Sequence, residues 1–316
     1  MKPRILALVG PTGSGKTKTA IRICQELGAE VVSMDSMQVY RGMDIGTAKP
    51  TPKELAAARH HMIDVADPDE LFTVSMYREM ACHAIDDILA RGRIPLLAGG
   101  TGLYLNAISF DMSLGEHGAD TAFRKELQQI AEQKDGASVL HARLREVDPE
   151  SAAKLHPNDT RRVIRALEIY ETSGKAKSAQ AEEQRREGPY HVLVYGLSLP
   201  RGMMYERINA RVDQMIDDGL VNEVKTLLEK GVEPRKEGGA MQAIGYKEIV
   251  SALRGECSLA EAIDLIKQSS RRYAKRQWTW FRRDARTQWF DWTMYADEEA
   301  LIQQLLHKIR ADLCEE

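Results

Sequence analysis

The sequence predicts an α/β protein whose core is a mostly parallel sheet of the P-loop type. Short apolar runs alternate with longer helical patterns, which is typical of a parallel sheet covered by helices. A glycine-rich loop directly follows the first run, and the stretch between the third and fourth runs is far longer than a parallel crossover requires. We therefore expect an inserted helical subdomain, followed later by a helical C-terminal region. The predicted strands are Ile5–Val9, Val31–Ser33, Ile94–Ala98, Val192–Leu199 and Thr287–Phe290.

The first predicted strand leads into a phosphate-binding loop and the start of a helix. The eight residues of this loop are Gly10, Pro11, Thr12, Gly13, Ser14, Gly15, Lys16 and Thr17. Its glycines let backbone N–H groups turn toward phosphate oxygens, and the first helical turn adds unpaired donors and its dipole. Lys16 supplies a positive charge, and Thr17 supplies a hydroxyl for Mg²⁺. The loop predicts a site for a di- or triphosphate.

A carboxylate is expected at the same edge of the sheet, but not where phosphoryl-transfer enzymes usually carry one. Those enzymes commonly end a second strand in an acidic residue that helps to hold Mg²⁺. The third predicted strand ends instead in the glycine turn Gly99–Tyr104, which contains the hydroxyl of Thr101 and no carboxylate. Asp35 follows the second predicted strand, at the carboxyl edge where open α/β sheets bind ligands. The candidate acid of the site is therefore Asp35.

The predicted domain organisation follows from the long stretch between the third and fourth strands. It comprises the 93 residues 99–191, although about a dozen residues suffice for a crossover. We expect residues 1–112 and 192–316 to form the P-loop core with its helical C-terminal part. Residues 113–191 are expected to form a helical insertion that opens with the loose segment 113–120.

Local signals predict several helix ends. Ser75 is expected to cap a helix that runs towards Arg91. Pro149 occupies the first position of a helix in the insertion, where its missing N–H has no cost. A further helix is expected to begin at Thr160 and to end at Gly174.

Two arginines lie four residues apart on a predicted helix of the C-terminal region. At that spacing Arg207 and Arg211 are neighbours on one face, beside a buried apolar stripe. Such a pair can hold one pyrophosphate through several charge-assisted hydrogen bonds. The alternative is a pair of surface salt bridges to Glu206 and Asp213, and the sequence does not decide between the two.

Two further segments are strongly basic. The helix from Thr160 carries Arg161, Arg162 and Arg165, and the segment 271–286 has seven basic residues and one acidic residue. On a helix most basic residues of the second segment share one arc, which suits contacts to a phosphate backbone. Its aromatic residues are expected to be mostly core. For both segments the alternative is an ordinary solvated surface.

Overall charge and cysteine usage exclude some classes of protein. The 316 residues carry a net charge of −3, which gives no general reason to expect a polyanionic partner. The four cysteines lie far apart, which favours reduced thiols and a cytosolic protein over zinc ligands or disulfides. We expect no signal peptide and no membrane span, since no apolar stretch approaches the length required. No interface stripe is evident, so a monomer is expected.

Taken together, these motifs resemble those of the tRNA dimethylallyltransferases, and the resemblance spans nearly the whole chain. Gly13 is one departure from the pattern, because bacterial members commonly carry alanine at this position. The C-terminal zinc finger of eukaryotic members is absent from this sequence. The pattern is therefore similar to the bacterial type. Besides the P-loop, the resemblance is carried by Asp35–Pro50, His60–Asp64, Gly99–Tyr104, Asp159–Arg165, Gln242–Lys247 and Lys275–Arg282.

The resemblance implies transfer of a dimethylallyl group from dimethylallyl diphosphate to N6 of adenosine 37 of tRNA, next to the anticodon. Mg²⁺, Lys16, Arg207 and Arg211 would stabilise the leaving pyrophosphate. Asp35 is the candidate acceptor of the amine proton, and Thr101 would position that carboxylate or the adenine. The insertion is expected to contact the anticodon arm.

The resemblance also implies a set of tRNA-binding residues. They are Asp35, Ser36, Met37, Gln38, Thr101, Arg124, Arg161, Arg162, Val163, Ile164, Arg165, Gln242, Ala243, Ile244, Gly245, Tyr246, Lys247, Lys275, Arg276, Gln277, Trp278, Thr279, Trp280, Phe281 and Arg282. Three other functions stay open: a P-loop small-molecule kinase, an enzyme that prenylates free AMP or ADP, and a tRNA-binding protein without catalysis.

Overall fold

The computed structural model describes residues 2–112, 121–179, 186–234 and 239–314. The chain forms two compact units, of which the first combines Met1–Ser109 with Pro189–Glu316 and the second is Phe110–Gly188. The segment 113–120, expected to be loose, lies outside the described residues.

The first unit is built on a six-stranded sheet. Every neighbouring pair of strands is parallel, and the strand order is β3-β2-β4-β1-β5-β6. The prediction of a mostly parallel α/β core is therefore confirmed. The two-residue strand β3 has no apolar run of its own, which is why the sequence did not predict it. The strands are β1 (Arg4–Val9), β2 (Ala29–Met34), β3 (His60–His61), β4 (Ile94–Gly99), β5 (His191–Ser198) and β6 (Gln288–Asp291).

Helices occupy most of the remaining chain. Those of the first unit are α1 (Lys16–Leu27), α2 (Pro52–Ala57), α3 (Val74–Ala90), α4 (Gly102–Ser109), α9 (Arg201–Asp217), α10 (Leu220–Glu229), α11 (Tyr246–Leu253), α12 (Leu259–Phe281) and α13 (Glu298–Cys314). Those of the second unit are α5 (Thr121–Ala131), α6 (Gly136–Val147), α7 (Pro149–Lys154) and α8 (Thr160–Ser173).

The sheet is a central layer with an apolar core on each face. Successive side chains of a strand point to opposite faces. Ile5, Ala7 and Val9 of β1 accordingly pack in the core that contains α3. Leu6 and Leu8 belong to the core that contains α1 and α13. This two-sided burial explains why the strand is continuously apolar in sequence.

The helix ends test the capping predictions. Ser75 is not the cap of α3, because the helix begins one residue earlier and the side chain of Thr73 accepts the hydrogen bond from Met76 N. Thr73 has the extended backbone that an N-cap requires, whereas Ser75 already lies within the first turn. Pro149 is the first residue of α7, and α8 ends just before Gly174, both as predicted. Gly174 itself adopts the left-handed backbone conformation.

The second unit is helical within 121–179, with a small apolar core of its own. Leu127, Leu144 and Val163 are fully buried there. The carboxylate of Glu168 is also buried there, because Glu168 is 1% exposed and accepts two hydrogen bonds from Arg124 at 2.6 and 2.7 Å. Pairing of this kind makes the burial of a charge tolerable.

Within the described ranges, no helix is both long enough and apolar enough to cross a membrane. All four cysteines are free.

Candidate active site

A cavity of about 760 Å³ opens at the carboxyl ends of the central strands of the first unit. Its walls combine the phosphate-binding loop, the turn after β2 and two C-terminal helices. The lining residues include Thr12, Lys16, Asp35, Arg207, Arg211 and Gln277. Thr101 does not line the cavity itself but directly follows Gly100, which does.

The phosphate-binding loop has the backbone that its sequence predicts. Gly13 and Gly15 lie at φ values of 85° and 89°, in the left-handed region that other residues rarely adopt. The helix α1 then begins at Lys16 with no side-chain cap, which leaves donors at its first turn. The hydroxyl of Ser14 is fully buried and has no hydrogen-bond partner among the described residues. The loop thus offers donors suited to an anion.

Two cations beside the loop are desolvated. The Lys16 ammonium donates to the carbonyl of Pro11 at 2.8 Å. Desolvation, followed by the nearby Arg211 guanidinium, lowers the pKa of Lys16 to about 7. Burial also lowers the pKa of Arg211, which donates a hydrogen bond to the carbonyl of Ala48 at 3.4 Å. Neither cation forms a salt bridge with a described residue, so their charge is available to an anionic ligand.

The structure contradicts the surface salt-bridge interpretation of the arginine pair. Arg207 stacks over the ring of Trp292, with its guanidinium carbon 5.3 Å from the ring centroid. Asp213 pairs with Lys267 at 2.5 Å instead of with either arginine. Within the described ranges neither arginine has the surface salt bridge that the alternative required. Both arginines line the cavity.

Trp292 also supports the loop, a role that the sequence did not indicate. Its indole N–H donates to the carbonyl of Ser14 at 3.0 Å. A Cβ on Gly15 would lie 2.9 Å from the indole, so this glycine is required by close packing as well as by its φ angle. Trp292 lies 278 residues from Ser14 along the chain, and no local sequence signal could have revealed the contact.

Asp35 lies directly after β2, at the carboxyl edge where the sequence placed it. Its Oδ1 accepts hydrogen bonds from Met37 N at 2.8 Å and from Gln38 N at 3.3 Å, which closes a tight turn. The Thr101 hydroxyl accepts from Ser36 N at 3.3 Å. Asp35 and Thr101 are thus carried by two turns that are hydrogen-bonded to each other.

Side chains near both ends of the segment 35–50 stabilise it through hydrogen bonds and ion pairs. Gln38 donates to the carbonyls of Thr47 and Ala48 at 3.3 and 3.1 Å. The Lys49 ammonium contacts Asp44 and Asp64 at 2.6 and 2.5 Å. With its donor groups used in this way, the amide of Gln38 shapes the loop in this structure.

Glu223, on α10, holds the middle of the same segment and was missed by sequence reasoning. Its carboxylate accepts from the backbone N–H groups of Asp44, Ile45 and Gly46 at 2.9, 2.8 and 3.1 Å. The fully buried Tyr246 donates its hydroxyl to the same carboxylate at 2.5 Å. Tyr246 was expected to contact tRNA. Because its side chain is buried, Tyr246 instead supports the segment 35–50 through Glu223.

Other members of the expected tRNA-binding set are also buried. Their side chains pack in the apolar cores or in the wall of the cavity, so little of their surface is accessible. They are Val163, Ile164, Ala243, Gln277 and Phe281. Arg124 is engaged with the buried Glu168. Arg161, Arg162, Lys275, Arg276, Thr279 and Arg282 are exposed.

Trp280 departs from the expectation that the aromatic residues of this segment are mostly core. Its side chain is 46% exposed. The indole packs on Gly102 at the start of α4, where an added Cβ would lie 2.1 Å from the ring. The ring is thus partly covered by the backbone at Gly102, while much of the side chain stays accessible. Helical periodicity alone does not predict this partial exposure.

Fold and site together define an α/β enzyme of the P-loop class with a cationic cavity beside a carboxylate. A family model described as IPP transferase matches residues 38–284. A model of the ATPase family associated with various cellular activities (AAA) matches residues 6–68. The chain belongs to the IPP transferase family.

Similar proteins cover the chain end to end. The tRNA dimethylallyltransferase of Halalkalibacterium halodurans is 46% identical, over 100% of this chain and 99% of its own length. That of Bacillus subtilis is also 46% identical, over 99% and 98%. The crystal structure of the full-length tRNA isopentenylpyrophosphate transferase from Bacillus halodurans has a TM-score of 0.73 at 44% identity, covering 99% and 97%. A eukaryotic dimethylallyltransferase acting on tRNA has a TM-score of 0.79 at 31% identity, covering 92% and 74%.

Proposed function

We propose that this chain transfers a dimethylallyl group from dimethylallyl diphosphate to the exocyclic N6 of the adenosine next to the anticodon of tRNA. The products are N6-dimethylallyladenosine and pyrophosphate. The names of relatives that match the full length support this assignment. The observation that carries it is the cavity in which Lys16 and Arg211, unpaired with any described carboxylate, lie beside Asp35.

The diphosphate half of the site stabilises the leaving group. In the transfer, the bond between the allylic carbon and the diphosphate oxygen breaks, and negative charge grows on that oxygen. The loop N–H groups, Lys16, Arg207 and Arg211 are placed to accept this charge in a partly desolvated cavity, where such interactions are strong. No phosphoryl group moves, which agrees with the lack of an acidic residue at the end of β4.

The adenine half activates the nucleophile. The amine of adenine forms the new bond to carbon and must lose one proton. Asp35 faces the cavity and serves as the proton acceptor, while its Oδ1 stays bonded to the turn. Thr101 lies on the neighbouring turn and orients the base or the carboxylate.

The donor set fits Mg²⁺ bound mainly by substrate. This ion usually takes one or two protein ligands together with phosphate oxygens and waters. Thr17 is exposed to the cavity at the start of α1, and the nearby Ser14 hydroxyl has no hydrogen-bond partner in the part of the chain that the structure describes. The described residues contain no cluster of three metal-ligating side chains that would form a dedicated cage. When bound, Mg²⁺ would neutralise diphosphate charge, with Thr17 as its protein ligand.

The tRNA partner is the anticodon stem-loop. Exposed basic residues of α12, among them Lys275 and Arg276, and Arg161 and Arg162 of α8 suit contacts to its phosphates. The target adenine must leave the loop stack, which costs roughly a few kcal/mol. We propose that the enzyme acts as a monomer in the cytoplasm.

The test is transfer of label from dimethylallyl diphosphate in the presence of Mg²⁺. Purified protein is incubated with unmodified tRNA, with a tRNA carrying another base beside the anticodon, or with AMP. Label at N6 of the target adenosine in the first tRNA only is expected. Label on AMP alone would assign the enzyme to the adenylate class. Label on neither, together with ATP-dependent phosphorylation of a small molecule, would identify a kinase.

A further inference from the structure

A buried glutamine forms hydrogen bonds with both the diphosphate half and the adenine half of the site. Gln277 of α12 is 6% exposed. Its Oε1 accepts from Thr12 N at 2.8 Å and from the Thr12 hydroxyl at 3.1 Å. Its Nε2 donates to the carbonyl of Gly100 at 3.0 Å. One amide therefore hydrogen-bonds both the phosphate-binding loop and the turn that carries Thr101.

We propose that Gln277 is a positioning residue that sets the spacing of these two loops, so that binding of diphosphate and binding of tRNA strengthen each other. The inference rests on the proposed function, because it assigns one loop to each substrate. It also differs from the role suggested by the resemblance, in which Gln277 contacts tRNA directly.

The sheet alone does not fix this spacing. Strands β1 and β4 are paired as far as Val9 and Gly99, and both chains then leave the sheet. Beyond that point the amide of Gln277 lies directly on Gly100, where an added Cβ would be 1.9 Å from Nε2. The glycine is therefore needed for the close approach of the amide.

A second contact extends the link to Thr101. The Tyr273 hydroxyl, one helical turn before Gln277, interacts with the side chains of both Gln277 and Thr101. Burial raises the pKa of Tyr273 to about 12, so the phenol stays protonated at neutral pH. A continuous set of polar contacts thus runs from Thr12 through Gln277 and Tyr273 to Thr101.

Spacing of this kind matters for transfer between two bound substrates. The allylic carbon and N6 must approach to roughly 3–3.5 Å in the correct alignment, and a displacement of about 1 Å can cost roughly 100-fold in rate. A residue that holds both loops should therefore affect kcat more than either separate affinity.

The test measures the dissociation constant of pyrophosphate with and without a saturating anticodon stem-loop. For the wild type, we expect the RNA to tighten pyrophosphate binding by about 5-fold or more, and pyrophosphate to tighten RNA binding equally. Gln277→Leu keeps the volume but removes all three hydrogen bonds, two to Thr12 and one to Gly100. It should bring this factor close to one and lower kcat by about 10- to 100-fold.

The matched control is Gln214→Leu, because Gln214 is exposed on α9 and, among the described residues, its side chain bonds only to the nearby Asp218. This control should leave the factor and kcat unchanged. A wild type without coupling, or a Gln277→Leu variant with wild-type coupling and kcat, would overturn the proposal.

Gln277→Glu adds a readout that a packing role would not move. A protonated glutamic acid can still accept from Thr12 and donate to Gly100, whereas the carboxylate cannot donate and is repelled by the carbonyl. Its rate relative to wild type should rise as pH falls, and a flat ratio would contradict the inference. Coupling of pyrophosphate and RNA remains measurable even if no transfer occurs, which separates failure of this inference from failure of the proposed function. If Gln277→Leu does not fold, the pH ratio of Gln277→Glu decides.

Discussion

The two edges of the central sheet differ in whether their desolvated charged groups are paired with other groups of the protein. At the carboxyl edge, Lys16 and Arg211 are desolvated and form no salt bridge with a described residue, and both have lowered pKa values. At the amino edge, the buried Glu30 accepts hydrogen bonds from Arg91, including one at 2.8 Å, and contacts His61 at 2.8 Å. These bonds, with that of Arg91 first, lower the pKa of Glu30 to about 2.

The difference separates charge that stabilises the fold from charge that is kept for a ligand. The carboxylate at the amino edge is satisfied within the protein, so losing it should cost stability. The cations at the carboxyl edge are desolvated and form no salt bridge with a described residue, although the charge of Asp35 acts on both of them, so we expect their largest gain when an anion binds. Substitutions at the two edges should therefore change different measurements.

The largest effect is expected from Asp35→Asn. The amide oxygen can still accept from Met37 N, so the turn is kept while the proton acceptor is lost. The transfer rate should fall by about 10²–10⁴-fold, the usual contribution of a general base. Binding of tRNA, measured by filter retention, should change little. Asp213→Asn, at an exposed residue paired with Lys267, serves as the control. Lost tRNA affinity with an unchanged rate would refute the role of Asp35 as base.

Lys16→Met should separate activity from stability at the same edge. Removal of one charge that stabilises the leaving group should lower kcat/KM by about 10²–10³-fold. The free energy of unfolding in urea should stay equal or increase, because a desolvated cation without a salt bridge is replaced by an apolar chain. A clear loss of stability would show that Lys16 is paired in solution and would break the contrast between the edges.

Glu30→Gln should give the reverse pattern. We expect the free energy of unfolding at pH 7 to fall by about 2 kcal/mol, since Arg91 loses a charged partner. The rate of transfer per folded molecule should not change. Glu150→Gln removes an exposed i,i+4 pair with Lys154 and should cost less than about 0.5 kcal/mol.

The pH dependence of that loss follows from the pKa of Glu30. The folded value of about 2 lies below the ordinary value of 4.5. Its stabilisation is therefore complete above pH 4.5 and is lost as pH falls towards 2. The difference in unfolding free energy between wild type and Glu30→Gln should shrink between pH 5 and pH 3. A difference that stays constant over this range would mean that the ion pair is not its source.

Sequence reasoning succeeded where function is encoded in contiguous residues. The phosphate-binding loop and the position of Asp35 after β2 follow from local patterns, because strand, loop and helix are consecutive there. Gln277, Glu223 and Trp292 were not found as supports, because each acts on residues more than 170 positions away. No spacing rule connects such pairs, and only the folded chain brings them together.

A further prediction concerns the pH dependence of pyrophosphate binding. The pKa of Lys16 in the free protein, about 7, lies below its ordinary value of 10.5, and a bound anion favours the protonated form. Below pH 7 the ammonium is already charged, so Lys16 takes up no proton on binding. Above pH 7 binding must protonate it, and the affinity should fall by up to about tenfold per pH unit.

Calorimetric titration of wild type and Lys16→Met between pH 6 and 9 isolates this contribution, because the titration of pyrophosphate itself is common to both. The ratio of their affinities should be constant below pH 7 and decline above it. A ratio independent of pH up to 9 would mean that Lys16 remains charged in the free protein. In that case desolvation would not distinguish the carboxyl edge from the amino edge. Solvent would then have to stabilise the charges of Lys16 and Arg211 at the carboxyl edge.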